Sequence, residues 1–402
     1  NRNRTCLRYS RSLAMKSNNK RLGDYIRPVD VRNTQGQVTR LLGVSIEKKF
    51  ISSIANTIGT DMSTYKIVKK GQFAYGPVTS RNGDKVSIAL LHEEECIISS
   101  SYSVFEVIDS GILLPEYLML WFRRAEFDRY ARFHSHGSAR EIFDWEEMCN
   151  VELPIPPIEE QKAIVNAYET IERRIALKRK INDNLAAIMQ STYKSWFVTF
   201  EHFRDQEMQD SQIGEIPSGW QVKRLTELMS YAGGQQPPAS EFVYEPKEGY
   251  IRLVQIRDYE TDKYATYIPV SKKNKLCNDH DIMIARYGVS LGRICYGLNG
   301  AYNVALAKVS PLKPYYREFL RCFLNTETFY NDINGSGERS AQQGFNQSGM
   351  DAFLLPVPPD NILEQFEHLL APMFEYRLFI RSKLAHLIKT QEAILESLAN
   401  HS

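Results

Sequence analysis

Two stretches of the chain repeat mostly hydrophobic positions at alternating spacings of four and three residues. In the second stretch these positions are 366, 370, 373, 377, 380, 384, 387, 391, 394 and 398. Subtracting 202 from each gives the ten positions of the first stretch, from 164 to 196, in the same register. This spacing is typical of coiled coils, so it predicts two long helices that pack on one another. The alternative is two long amphipathic helices in ordinary cores.

Each predicted helix follows a proline-rich segment, and a region of short strands comes before that segment. The prolines of 153–157 and 355–359 cannot continue a helix or a central strand, so they indicate a boundary. Short β-rich runs divided by Gly and Asn turns precede the boundaries, at 85–91, 96–100, 249–256 and 281–286. One amphipathic helix is predicted near 115–133, with a counterpart near 316–331. The fold class is therefore predicted to be α+β.

The two halves of the chain are related by a tandem repeat. Residues 138–157 align without a gap on 340–359, and eight of the twenty positions are identical, where average composition gives roughly one. Lys20-Arg21-Leu22 recurs as Lys223-Arg224-Leu225 at nearly the same offset. A repeat of this length indicates a duplicated domain pair rather than a solenoid. We therefore predict two mixed α/β domains joined by two long helices that form an antiparallel coiled coil, with pseudo-twofold symmetry.

Composition gives the broad class of protein. The 402 residues are 43% hydrophobic and 24% charged, as in soluble globular proteins of two to three domains. No apolar run is long enough to span a membrane, and the basic start of the chain lacks the pattern of a signal peptide. The six cysteines form no C-x-x-C pair, which favours reduced thiols and a cytoplasmic protein. The net charge of +2 is too small to indicate nucleic-acid binding without local clusters.

Four separated motifs, in order, resemble the specificity subunits of type I DNA restriction-modification enzymes. They are Leu153-Pro-Ile-Pro-Pro-Ile-Glu-Glu-Gln-Lys162, Lys180-Ile-Asn-Asp-Asn-Leu185, Lys194-Ser-Trp-Phe-Val-Thr-Phe200 and Ile216-Pro-Ser-Gly-Trp-Gln-Val-Lys-Arg-Leu225. The resemblance covers the chain from Met15 onward. The second proline cluster departs from the pattern, because Glu364-Gln365 lies two residues later than the counterpart of Glu160-Gln161.

The resemblance implies two target-recognition domains, each of which reads one half of a split DNA site. The antiparallel coiled coil would set the spacer and dock two methyltransferase (modification) subunits, and restriction subunits would join for cleavage. S-adenosylmethionine would bind the methyltransferase subunit, so no cofactor is expected in this chain. The implied division is 1–14 as an N-terminal extension, 15–152 as target-recognition domain 1, 153–205 as conserved helical region 1, 206–354 as a linker and target-recognition domain 2, and 355–402 as conserved helical region 2.

Residues 1–14 carry four arginines and no acidic residue. They are interpreted either as sequence upstream of a natural start at Met15 or as a disordered arm. The sequence leaves both readings open.

Motifs that carry out chemistry are missing from the sequence. It contains no G-x-x-x-x-G-K-[ST] phosphate loop, no G-x-G-x-x-G fingerprint and no Asn/Asp-Pro-Pro-aromatic methylase motif. His134 and His136 could ligate a metal, but no third ligand is near in sequence, so a structural or DNA-facing pair is preferred. We therefore predict no catalytic residue, no metal and a non-catalytic subunit. The alternative is a stand-alone tandem DNA-binding or coiled-coil scaffold protein without enzyme partners.

Basic and amide side chains cluster near expected turns in both halves, where segments 75–83 and 285–293 align loosely. In the DNA major groove Arg reads guanine, and Asn or Gln reads adenine. The predicted DNA-binding residues are Ser80, Arg81, Asn82, Lys85, His136 and Arg140 in the first half, and Arg286, Tyr287, Ser290, Arg293, Arg339, Gln342 and Gln343 in the second. Arg123 and Arg124 are further candidates for phosphate contacts, and Tyr75 and Phe133 are interleaved with the polar residues of the first half. The alternative is that these residues are solvated surface charges.

An apolar patch lies at the end of the first long helix, at Trp196, Phe197 and Phe200. Aromatic side chains of this size bury a large apolar area wherever they pack. The patch either packs on the second domain or forms an interface with a partner.

Overall fold

The structure is a computed structural model that describes residues 19–53, 60–80, 82–83, 85–137, 140–335 and 347–400. The predicted N-terminal extension, residues 1–14, lies outside the described residues. The chain divides into two compact units, the first formed by residues up to 175 together with those from 386 onward, and the second by residues 176–385. Within the described ranges no helix is both long and apolar enough to cross a membrane.

The first unit contains short strands, then short helices, and then the start of a long helix. Its strands are β1 (Asn19–Arg21), β2 (Ile26–Val29), β3 (Leu42–Val44), β4 (Phe50–Ser52), β5 (Lys66–Lys69), β6 (Phe73–Tyr75), β7 (Ile88–Leu90), β8 (Glu95–Ile98), β9 (Ser103–Val107) and β10 (Glu152–Pro154). Its helices are α1 (Pro115–Phe122), α2 (Ala125–Phe133), α3 (Trp145–Cys149), the first part of α4 (Ile158–Phe197) and, from residue 386, the end of the last long helix, which finishes at Ser397.

A four-stranded antiparallel sheet in the order β2-β9-β6-β7 forms the centre of the first unit. Phe73 of β6 stacks on Phe105 of β9 with ring centroids 4.8 Å apart, and Phe122 of α1 meets both rings edge-on. All three side chains are fully buried. Burial of each ring contributes about 1.5–3 kcal/mol, so this cluster is a principal reason why α1 packs on the sheet.

The second unit repeats this order of elements. Its strands are β11 (Met208–Gln209), β12 (Ile216–Pro217), β13 (Gln221–Arg224), β14 (Met229–Gly233), β15 (Tyr250–Val254), β16 (Thr266–Pro269), β17 (Leu276–Cys277), β18 (Ile282–Ala285), β19 (Ile294–Cys295), β20 (Gly300–Tyr302), β21 (Leu306–Pro311) and β22 (Leu354–Val357). Its helices are the end of α4, then α5 (Arg317–Leu324), α6 (Glu327–Gly335), α7 (Gln347–Asp351) and most of α8 (Asp360–Ser397). The strand segments predicted from sequence contain β7, β15 and β18 and overlap β8.

The sheets of the two units have matching topology. The second unit has an antiparallel sheet in the order β14-β21-β18-β19, which corresponds strand by strand to β2-β9-β6-β7. In both units the strand at the Lys-Arg-Leu motif pairs antiparallel with the strand at the proline cluster, as β1 with β10 and β13 with β22. The second unit also has a sheet in the order β16-β15-β20-β17. The fold is therefore mixed helix and sheet, as predicted.

The single amphipathic helix predicted near 115–133 is wrong, because the structure has α1 and α2 there, separated at Arg123 and Arg124. The backbone of Arg124 is extended, and its guanidinium lies 4.3 Å from the centre of the Trp121 ring. Residues five apart on a straight helix point about 140° from each other. The break allows Phe127 to turn back onto Phe122, with ring centroids 4.7 Å apart.

The counterpart helix near 316–331 is also two helices, α5 and α6. Thr326 lies between them, and its hydroxyl accepts a hydrogen bond from the Phe329 backbone N–H at 3.2 Å. Threonine in this role is a common helix N-cap. The Asn325-Thr326-Glu327 sequence is therefore a signal that could have predicted this break.

Both predicted long helices are present, as α4 and α8, and α8 runs through Pro372 without ending. Each of the twenty repeated positions is buried or half-buried. In the second unit, Asn182 of α4 accepts a hydrogen bond from Arg377 of α8 at 3.2 Å. In the first unit, Val165 and Tyr168 of α4 share a hydrophobic core with Leu398, just after α8.

The apolar patch at the end of α4 packs inside the second unit. Phe197 meets Phe319 of α5 and Phe366 of α8, each at 4.8 Å between ring centroids. Trp196 is buried nearby and lies 5.4 Å from the ring of Phe366. The first of the two interpretations of this patch is therefore confirmed, since its aromatic surface is covered by residues of the chain itself.

A buried ion pair lies in the core of the second unit. Arg321 Nε donates to the Glu318 carboxylate at 3.0 Å, and Arg321 Nη2 donates to the His280 carbonyl at 2.9 Å. The guanidinium also lies 3.4 Å from the centre of the Phe374 ring on α8. Burial raises the pKa of Glu318, and the neighbouring guanidinium opposes that change.

His280 is held between two carboxylates in the second unit, with Nδ1 2.8 Å from Asp279 and Nε2 2.8 Å from Glu375 of α8. Burial lowers its pKa, but the hydrogen bonds to the two carboxylates outweigh that effect, so the net pKa is raised. A raised pKa in the folded state means that the stabilisation is present at low pH and is lost as pH rises through that pKa.

The substitution His280→Gln should therefore destabilise the second unit more at about pH 5.5 than at about pH 8.5. The difference should be about 0.2–1 kcal/mol, because the side chain is partly exposed and water screens the pairs. Urea unfolding of both proteins at the two pH values measures it. An equal loss of unfolding free energy at both pH values would contradict the conclusion that a charged His280 imidazole binds the two carboxylates.

Candidate nucleic-acid interface

The residues predicted to read DNA fall mainly on two hairpin loops at equivalent places in the two units. In the first unit the loop 76–87 connects β6 to β7. In the second unit the loop 286–293 connects β18 to β19. Both loops join the third and fourth strands of matching four-stranded sheets. The loose alignment of the two segments thus corresponds to one structural position.

The hairpin of the first unit is tied to a second loop that follows helix α2. The Thr79 backbone N–H donates to the Glu141 carbonyl at 3.0 Å, and the Thr79 hydroxyl donates to Ser135 Oγ at 2.9 Å. Val78 also forms an isolated β-bridge with Ile142. Segments far apart in sequence are therefore adjacent in the structure.

This pairing brings together most of the residues predicted in the first unit. Ser80 is exposed and Asn82 is half-buried on the hairpin, while His136 and Arg140 are exposed on the second loop. The Asn82 amide donates to the Val78 carbonyl at 3.3 Å, which fixes the turn. Arg81 lies outside the described residues.

The far end of the same hairpin is held by a buried ion pair. Lys48 Nζ lies 2.5 Å from Asp128 of α2, and it also donates to the Val86 carbonyl at 2.7 Å. Asp128 in turn accepts from the Val86 backbone N–H at 2.9 Å. Burial lowers the pKa of the Lys48 amine, and the Asp128 carboxylate opposes that change. Lys85 projects from the hairpin to an exposed pair with Glu47 at 2.7 Å.

His134 and His136 both approach Glu147, at 3.1 Å and 3.6 Å. Among the residues that the structure describes, no group of three or more possible ligands is placed to hold a metal ion. The shared carboxylate links both histidines to α3. The interpretation of the two histidines as a structural or DNA-facing pair stays a prediction.

The hairpin of the second unit presents the other set of predicted residues. Arg286 lies over the ring of Tyr287, with its guanidinium carbon 5.1 Å from the ring centre. Ser290 lies near the tip and is half-buried. Arg293 is tied to Glu260 at 2.7 Å, so its charge is partly neutralised in the free protein. Arg286 is the less neutralised of the two arginines.

Two glycines bring another segment against Arg286. A Cβ atom at Gly233 would lie 2.5 Å from Arg286 Nη1, and one at Gly234 would lie 2.1 Å from the Asn303 carbonyl oxygen. At Gly234 only glycine allows the close approach, because the neighbouring atoms belong to the backbone, whereas the Arg286 side chain could move away from Gly233. Exposed Gln235 and Gln236 follow at the same edge of the sheet. These two amides were not predicted from the sequence, although the Gly-Gly pair directly before them was a signal.

The remaining predicted residues are separated from the hairpins or are not described. Arg339, Gln342 and Gln343 lie outside the described residues. Arg123 is bound to Tyr168 and Glu172, each at 3.1 Å. Arg124 and Tyr75 are buried. These last three residues therefore serve the core of the first unit, and we withdraw Arg123 and Arg124 as candidates for phosphate contacts.

The chain is similar in sequence to known proteins. Residues 17–187 match the family described as type I restriction modification DNA specificity domain. The chain is 27% identical over 306 residues to the type I restriction enzyme MjaIX specificity subunit of Methanocaldococcus jannaschii, which is 73% of this chain and 70% of that protein. It is also 27% identical over 165 residues to the HindI specificity subunit of Haemophilus influenzae, which is 40% of this chain and 36% of that protein.

The fold is also that of a solved protein. The structure of the S subunit of a type I restriction-modification system from M. genitalium aligns with a TM-score of 0.59 at 14% identity. The alignment covers 94% of this chain and 95% of that chain. Residues 17–187 therefore match the model of the type I restriction modification DNA specificity domain, and the chain as a whole is similar to the specificity subunits of type I restriction enzymes.

Proposed function

We propose that this chain is the specificity subunit of a type I restriction-modification complex, and that each of its two recognition domains reads one half of a bipartite DNA site. The observation that carries the proposal is the pair of polar hairpins at equivalent edges of matching sheets. A two-stranded β-ribbon fits the major groove, where base edges are distinguishable. The recognition domains are residues 15–152 and 206–354, and the conserved helical regions are 153–205 and 355–402.

The two long helices form an antiparallel coiled coil that sets the distance between the half-sites. Contacts between α4 and α8 in the second unit support the antiparallel direction of the two helices. Asn182 meets Arg377, whereas Phe197, further along α4, meets Phe366, which is earlier on α8. A helix of 40 residues is about 60 Å long, which bounds the span at roughly 17–18 base pairs of DNA.

The chain acts with partners and carries out no chemistry of its own. The coiled coil docks two methyltransferase subunits, which bind S-adenosylmethionine, and restriction subunits join them for cleavage in the cytoplasm. The absence of catalytic and cofactor motifs from the sequence supports this division of labour. A stand-alone tandem DNA-binding protein is the second candidate, and it would purify without a stoichiometric methyltransferase.

Methylome mapping of the complex with two variants tests the proposal. Ser80→Ala/Asn82→Ala should relax or change one half-site only, and Arg286→Ala should relax the other, by about 1–3 kcal/mol of discrimination for each lost base contact. The control is Lys272→Ala/Lys273→Ala, which removes exposed charges outside the hairpins. The purified chain alone should transfer no methyl group. Changes in both half-sites from either variant would contradict independent reading.

A further inference from the structure

The tip of the second hairpin carries an aliphatic side chain that no residue in the described part of the chain covers. Val289 is 102% exposed, which is as open as in an extended peptide. It lies between Tyr287 and Ser290, which the sequence analysis had singled out, but it was not itself predicted. An isolated exposed valine is common on protein surfaces, so its meaning depends on how it is held and what surrounds it.

The hairpin holds Val289 in a fixed position. Gly288 and Gly292 have positive φ values of 67° and 81°, which set the turn on either side of it. The Leu291 N–H donates to the Gly288 carbonyl at 3.0 Å, and the Gly292 N–H donates to the Ala285 carbonyl at 2.9 Å.

Helix α6 braces the back of the same hairpin. A Cβ atom at Gly292 would lie 2.8 Å from Ile333, so backbone and helix are in close contact there. The Asn334 amide also donates to the Leu291 carbonyl at 3.2 Å. Because the turn is fixed before binding, presenting Val289 to a ligand costs little conformational entropy.

The chemistry around Val289 points to one kind of ligand. Arg286 supplies positive charge beside the tip, Arg293 on the other side is paired with Glu260, and Tyr287 and Ser290 offer hydrogen-bonding groups. This is the composition of a surface that approaches the DNA backbone and base edges. Among the groups that the four base pairs present in the major groove, the apolar one is the thymine 5-methyl group.

Resting on the proposed function, we propose that Val289 contacts a thymine methyl group in the half-site read by the second recognition domain. The valine methyls and the thymine methyl exclude water from each other when the hairpin enters the major groove. Val289 is then a specificity-determining residue, which distinguishes thymine from other bases by its shape and apolar surface rather than by a hydrogen bond.

Deoxyuridine tests this inference, because it lacks only the methyl group of thymine. The experiment measures binding of the complex with its methyltransferase subunits to duplexes of the mapped site, in which each thymine of the second half-site is replaced in turn. At one position the native complex should bind about three- to fivefold more weakly, as expected for about one buried methyl group. The variant Val289→Ala should bind the thymine duplex more weakly by a similar factor, and it should not distinguish thymine from deoxyuridine there.

The control variant is Val270→Ala, which alters a valine 65% exposed outside the hairpin and should keep the native response. Equal binding of all the deoxyuridine duplexes by the native complex would overturn the inference, as would a Val289→Ala variant that still senses the methyl group. A half-site without thymine would also overturn it. Loss of preference for the mapped site over a scrambled duplex in the native complex would instead contradict the proposed function itself.

Discussion

The substitution Arg321→Met should destabilise the second unit by about 3–5 kcal/mol, because it leaves the Glu318 carboxylate buried without its partner. Arg321 is 2% exposed and Glu318 is 0% exposed, so water cannot replace the lost ion pair. The same substitution removes the hydrogen bond to the His280 carbonyl and the contact with the Phe374 ring. Urea unfolding followed by tryptophan fluorescence measures the loss, since Trp196 and Trp220 lie in the core of this unit.

Adding a second substitution distinguishes the effect of the unpaired Glu318 charge from the effect of lost packing around Arg321. The double variant Arg321→Met/Glu318→Leu should recover most of the stability, because replacing both members of a buried pair by apolar residues is often neutral. If Arg321→Met alone costs less than about 1 kcal/mol, the pair contributes no more than an exposed one. In the complex, methylome mapping should find recognition of the second half-site weakened by the single variant and restored by the double variant.

Lengthening both long helices should change the spacer of the DNA site and leave the half-sites unchanged. The variant carries four extra residues after Leu185 in α4 and four after Ile388 in α8. They lengthen each helix by about 6 Å, which is close to two base pairs. A four-residue insertion also unwinds a supercoil locally, so some misalignment of the two recognition domains is expected.

Methylome mapping of this variant should find the original site lost and a site with a longer spacer gained. The control places the same four residues after Gly214, in an exposed loop outside the helices, and should keep the original site. A folded and active variant that retains the original spacer would refute the role of the coiled coil in measuring distance.

The candidate site was predicted in part. Ser80, Asn82, Arg286, Tyr287 and Ser290 do lie on hairpins, because Gly and Asn near short β-rich runs are local signals of a turn. Lys85 and Arg293 were also predicted, but each forms an ion pair with an acidic residue distant in sequence, Glu47 and Glu260 respectively. Such pairing depends on chain segments that meet only in the folded protein.

Other parts of the site had no usable local signal. The approach of the 134–142 loop to the first hairpin depends on contacts such as Thr79 with Glu141. The anchor of Lys48 on Asp128 likewise joins a hairpin turn to a helix. Arg124 has the appearance of a surface cation in sequence, yet it is buried. A single sequence does not record which segments cover a residue, so burial could not be predicted.

The repeat, the proline boundaries and the two long helices could be predicted without a structure, because they depend on residue identities and spacings that can be read along the chain. Heptad spacing at 164–196 and 366–398 is sufficient to define a helical face wherever the helix packs. The end of α1 and the start of α2, the burial of Arg124 and the position of Val289 at a braced hairpin tip became known from the folded chain. Backbone geometry follows from local preference, whereas burial and the position of a tip follow from contacts between segments far apart in sequence.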